Sequence, residues 1–99
     1  MGASELEYSA SIISECSCNI KNGKSSFSNG LGTTNLDNRD EENFAVLQIF
    51  NTIKTEVDTL TNLMDEIAEE LREEANRLRQ AEEEAREKAK QQAGAGASA

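Results

Sequence analysis

Residues 44–71 read FAVLQIFNTIKTEVDTLTNLMDEIAEEL, with apolar side chains at Val46, Phe50, Ile53, Val57, Leu60, Met64, Ile67 and Leu71. The steps alternate four and three without a miss, the spacing of a helix packed along a narrow stripe. Upstream, Asn38 or Asp40 can cap, and Asp40, Glu41 and Glu42 put negative charge in the first turn, where the helix dipole favours it. Downstream, Glu74 falls where the stripe needs an apolar residue, and the series resumes at Ala75 and Leu78, which reads as a stutter before Ala81, Ala85 and Ala89. With no proline in the chain and no glycine between Gly32 and Gly94, one helix is expected over about 40–92, roughly 80 Å long. Residues 93–99, alternating Ala with Gly and Ser, are expected to be a disordered tail.

This helix has two characters. Over residues 44–67, 12 of 24 side chains are apolar, including Phe44, Leu47, Ile49 and Leu63 outside the stripe, so the apolar face is wide enough for two neighbours. Over residues 68–92 only 7 of 25 are apolar and five of those are alanine, so this extension must be kept helical by its own ion pairs, Glu73–Arg77, Glu82–Arg86 and Glu84–Lys88. The acids Asp65, Glu66, Glu69, Glu70, Glu73 and Glu74 read most simply as a solvated face, with docking of a basic partner beside that reading; no apolar wall is in sight to raise a carboxyl pKa for catalysis.

Residues 1–32 fit two templates. Alternation at Tyr8, Ala10, Ile12, Cys16, Cys18 and Ile20, followed by Asn22-Gly23, describes a β-hairpin. A 3-4 series through Leu6, Ala10, Ile13, Cys16 or Ser17, and Ile20 describes a helix, although eight of the nine serines lie in residues 1–40 and serine is a mediocre helix former. Length favours the helix. One spanning about residues 3–24 would be roughly 33 Å long, against roughly 36 Å for the strongly apolar stretch 44–67. Folded back through a connection at 25–39, it would set Leu6 near Leu60–Met64, Ile13 near Val57 and Ile20 near Phe50. The loss of apolar character after Ile67 would then mark where the neighbour ends.

Composition narrows the function. The 99 residues carry no His and a net charge of −9, from 19 acids and 10 bases. Without His there is no Ser-His or Cys-His pair, and Cys16 and Cys18 alone cannot close a four-ligand zinc site. No catalytic residue, cofactor or metal is expected. So acidic a chain repels phosphate backbones and anionic lipid, so no nucleic-acid partner is expected either. With no apolar run near 20 residues and no basic, apolar leader, neither membrane insertion nor a cleaved signal is expected, and the location is expected to be cytoplasmic.

A Ser-rich first helix, the stretch Ser26-Phe27-Ser28-Asn29-Gly30, then Gly32-Thr33-Thr34-Asn35-Leu36 leading into a long acidic helix resembles the small W-x-G-type hairpin proteins of type VII secretion. More narrowly, it is similar to the helical proteins associated with LXG toxins in Gram-positive bacteria. The resemblance spans about residues 3–75. It implies a turn at Phe27, Asn29 and Gly30, a chaperone or targeting role toward the toxin's N-terminal helical region, and export with the cargo by a signal-peptide-independent route. The turn lacks the tryptophan, and no Tyr-x-x-x-Asp/Glu or Phe-x-x-x-Asp signal follows the second helix, which implies that a second small helical protein or the charged extension fills that role.

The expectation is therefore an all-α, antiparallel two-helix hairpin with a long, protruding second helix, completing a four-helix bundle with a partner, since two helices bury too little alone. The expected partner-binding residues are Leu47, Ile49, Phe50, Ile53, Val57, Leu60, Leu63, Met64 and Ile67, and a homodimer stays open beside a heteromeric partner. The competing reading is a structural coiled coil that oligomerises through the 46–71 stripe behind a disordered Ser/Asn-rich N-terminus.

Overall fold

A computed structural model describes residues 2–32 and 41–98. The molecule is an antiparallel pair of helices, α1 (Ala3–Gly32) and α2 (Glu41–Ser98). The all-α hairpin with an overlong second helix is as the sequence predicts. At 88 Å, the long axis matches the length of α2, since 58 residues at the helical rise give ~87 Å.

Several expected boundaries move. α1 continues to Gly32, so there is no β-hairpin and no disordered N-terminus, and Phe27, Asn29 and Gly30 form no turn because they lie within the helix. The rest of the expected connection, residues 33–39, lies outside the described residues, as do the capping candidates Asn38 and Asp40. At the other end α2 runs through residues 93–98, where a disordered tail was expected.

Glycines at positions 23 and 30 do not break α1 because its packing stripe stays in phase on both sides of them. Positions 3, 6, 10, 13, 17, 20, 24, 27 and 31 alternate steps of three and four; all are buried or half-buried except Phe27, which packs edge-on against Phe50 with ring centroids 5.1 Å apart. Tertiary packing thus outweighs the ~1 kcal/mol helix penalty of each glycine.

On α2 the matching stripe is Leu47, Phe50, Lys54, Val57, Thr61, Met64, Ala68, Leu71, Ala75 and Leu78, every one buried or half-buried. It has no stutter. The expected stripe shares Phe50, Val57, Met64 and Leu71 with it but replaces Leu47, Lys54, Thr61 and Ala68 by the residue before each. The true seam is hidden because four of its ten positions, Lys54, Thr61, Ala68 and Ala75, are small or polar. These small residues meet their own kind. Ala3, Ala10 and Ser17 of α1 and Thr61, Ala68 and Ala75 of α2 are all buried, and Ser17 Oγ donates to the Thr61 carbonyl oxygen at 3.4 Å. Small side chains in every second turn allow the two backbones to approach closely.

The register also differs from expectation. Leu6 and Ala3 pack against Ala75, with Leu71 and Leu78 beside them, and Phe27 takes the place at Phe50 expected of Ile20. The longer α1 therefore covers α2 to about Leu78, so the change of composition after Ile67 does not mark its end.

Candidate docking face

Among the described residues, the remaining polar contacts between the helices fall on one flank of the seam. Glu7 pairs with Arg79 and Lys24 with Asp58, Arg72 Nη2 donates to Ser14 Oγ at 2.9 Å, and Lys21 Nζ meets Asp65 Oδ2 at 2.7 Å. On α2 these partners, 58, 65, 72 and 79, repeat every seven residues, each one place after the seam positions 57, 64, 71 and 78. Lys21 first, and the Ser17 hydroxyl second, hold the Asp65 carboxyl below its usual range.

The opposite flank is apolar and uncovered. Val46, Ile53, Leu60 and Ile67 repeat at the same interval, each one place before the seam positions 47, 54, 61 and 68, and are 43, 40, 48 and 47% exposed. Beside them Ile49 and Leu63 are 61 and 52% exposed. Together they form a second 3-4 series, 46, 49, 53, 60, 63 and 67, interrupted only at Glu56. α2 therefore carries two apolar stripes: one closes the hairpin and the other, roughly 32 Å long, has no partner among the described residues. Contiguous apolar exposure of this kind is the feature that protein–protein interaction sites commonly share. Ile12 of α1, 42% exposed, falls on the same flank by its heptad phase.

The nine expected partner-binding residues divide between these stripes. Ile49, Ile53, Leu60, Leu63 and Ile67 are on the exposed flank; Leu47, Phe50, Val57 and Met64 are in the seam against α1. Residue-by-residue hydropathy missed Val46 as a docking residue and Glu56 altogether; the signal that finds them is the second 3-4 series, once the first is assigned to α1.

The N-terminal part of this face is uncharged, although Glu41 and Glu42 precede it in the sequence. No residue from Asn43 to Ile53 is charged. The Thr52, Thr55 and Thr59 hydroxyls each donate to the carbonyl four residues earlier at 3.0 Å, so their hydrogens are used within the helix. A shallow groove lined by Ala45, Gln48, Ile49, Thr52 and Ile53 opens here. Acid dominates beyond Met64: the Asp65, Glu66, Glu69, Glu70 and Glu73 side chains line the next open groove.

Among the described residues, no three Cys, Asp or Glu side chains are grouped to hold a metal ion, and no helix is long and apolar enough to cross a membrane. Cys16 and Cys18 are both exposed, and the buried seam position between them belongs to Ser17. Past Leu78, every described side chain of α2 is exposed. Arg77 pairs with Glu74 at 2.7 Å rather than with Glu73, and neither Glu82–Arg86 nor Glu84–Lys88 is formed among the described residues. Comparison with known protein families, curated proteins and solved structures returned no match.

Proposed function

We propose that this chain is a non-enzymatic targeting factor that binds a helical protein partner, and that the partner is the N-terminal helical region of an LXG-type toxin handed to a type VII secretion system. The observation that carries the reading is the uncovered stripe Val46, Ile49, Ile53, Leu60, Leu63 and Ile67 beside an already closed hairpin seam. A chain that only needed to fold would not leave its larger aliphatic side chains outside and put alanine, serine and threonine inside. Adding one or two helices on that flank makes a three- or four-helix bundle and buries the stripe.

The hairpin topology and the long acidic second helix support the secretion class; Phe27, Asn29 and Gly30 do not, since they lie in α1. Cytoplasmic residence before export with the cargo is part of the same proposal. Co-expression with an LXG toxin's N-terminal region tests it. A stable complex should form, and Ile53→Asp together with Leu60→Asp should abolish it while leaving helicity and thermal midpoint close to wild type. A complex that survives both substitutions would remove the stripe from the interface.

A further inference from the structure

The docking stripe is symmetric about one charged residue. Its positions, 46, 49, 53, 56, 60, 63 and 67, read the same from either end, with Glu56 at the centre. If two copies packed antiparallel through this stripe, Val46 would meet Ile67 of the other copy, Ile53 would meet Leu60, and Glu56 would meet Glu56. In a parallel pairing Glu56 meets its copy again, and the acids beyond Met64 are also brought together. No cation among the described residues lies on this stripe to relieve either arrangement. Lys54, the nearest in sequence, belongs to the seam and lies over the Phe50 ring, 5.3 Å from its centroid. None of the ion pairs among the described residues involves Glu56. Self-association would therefore drive two like charges together in the middle of an apolar interface, an arrangement that disfavours the pairing strongly.

Resting on the docking reading above, we infer that the occupant of this face is a helix of a different protein, carrying a 3-4 apolar stripe of about six turns with a Lys or Arg opposite Glu56. Acid flanks both ends of the stripe in the sequence, at 40–42 and from Asp65 onward, so the central charge and not the rim carries the selection. Glu56 acts as a selector, because a buried charge costs little only when its partner supplies the opposite one.

The test uses the full chain and two synthetic amphipathic helices of equal length and identical Leu/Ile stripe. One carries Lys at the central stripe position; the other carries Glu there. Titration should show the Lys peptide binding the wild-type chain about tenfold or more tighter than the Glu peptide. The exposed Glu56 can be changed without touching the seam, so Glu56→Lys should keep the hairpin's helicity and reverse the preference. Sedimentation of the wild type alone should show weaker self-association than binding to the Lys peptide. Equal affinity for both peptides in both chains overturns the selector role but leaves the docking face standing. A wild-type homodimer tighter than the peptide complex overturns the heterotypic partner. Binding of neither peptide to either chain overturns the docking reading itself.

Discussion

Ser17 and Thr61 meet in the buried seam, where the hydroxyl of the first reaches the backbone carbonyl of the second at 3.4 Å. A side chain as short as serine can do this only if the helices approach closely. Ala10 and Ala68, both fully buried, extend the same small-residue stripe. Enlarging it should cost more than trimming the exposed stripe. Ala68→Leu is expected to destabilise the hairpin by about 1–3 kcal/mol through overpacking. Leu60→Ala, removing a far larger exposed side chain, should stay within ~0.5 kcal/mol. Chemical denaturation ranks the two, and the reverse order would refute the seam assignment.

Phe50 and Ile53 are three residues apart and belong to different stripes: Phe50 is buried against Phe27, while Ile53 is 40% exposed. Phe50→Asp places an unpaired carboxylate in the seam at a cost of several kcal/mol, enough to unfold a hairpin of marginal stability. Ile53→Asp should leave the circular dichroism melt unchanged and lose only partner binding. Loss of the fold in both variants would merge the two stripes into one.

Much of this was legible in the sequence and some was not. The long 3-4 series fixes α2 as a helix, and the surplus of apolar residues over 44–67 matches the aliphatic side chains left exposed beside the seam. The choice of stripe was not legible from hydropathy, because Val46, Ile53, Leu60 and Ile67 outscore Leu47, Lys54, Thr61 and Ala68 as core candidates. Close approach rewards small size rather than apolarity, so the weaker-looking stripe forms the seam. α1 was read too short for a related reason: Asn22-Gly23 and Phe27-Ser28-Asn29-Gly30 have turn chemistry, and only packing against α2 keeps them helical.

Gly23 offers a direct test of that last point. A Cβ added there meets no atom within 4 Å. Gly23→Ala should therefore raise stability by about 0.5–1 kcal/mol, the ordinary gain in a helix interior. A left-handed turn at Asn22-Gly23 would give the opposite sign. The thermal midpoint of the single variant decides.

Lys21 and Asp65 give the hairpin a pH-dependent contribution. The Asp65 carboxyl sits below its usual range in the folded chain, held there by Lys21 and secondarily by Ser17. A depressed folded pKa stabilises above the unfolded value and loses that effect as the pH falls toward the folded one. Wild type should accordingly melt higher than Asp65→Asn at neutral pH, and the gap should close as the pH is taken below about 4. The pair is exposed, so added salt should narrow the gap as well. A gap that persists unchanged in acid would mean Asp65 acts through something other than its charge.

The extension of α2 is the part of the molecule α1 does not reach. Leu78 packs against the Ala3–Leu6–Ala75 cluster and Arg79 pairs with Glu7, so the hairpin is complete at about Gln80. The remaining 18 residues, 81–98, extend the helix by roughly 27 Å, with every described side chain exposed. A stop after Gln80 should leave the thermal midpoint of the hairpin nearly unchanged. A stop after Ile67 removes Ala68, Leu71, Ala75 and Leu78 from the seam, strips Ala3 and Leu6 of their partners, and should unfold the N-terminal half of α1. The docking stripe ends at Ile67, so the Gln80 stop should also keep its affinity for the partner. In the secretion reading the free segment is then what remains to meet the export machinery. Cells carrying the Gln80 stop should form the cargo complex and fail to export it. Unchanged export from those cells would reduce the extension to a solubilising segment and move the export signal to the partner.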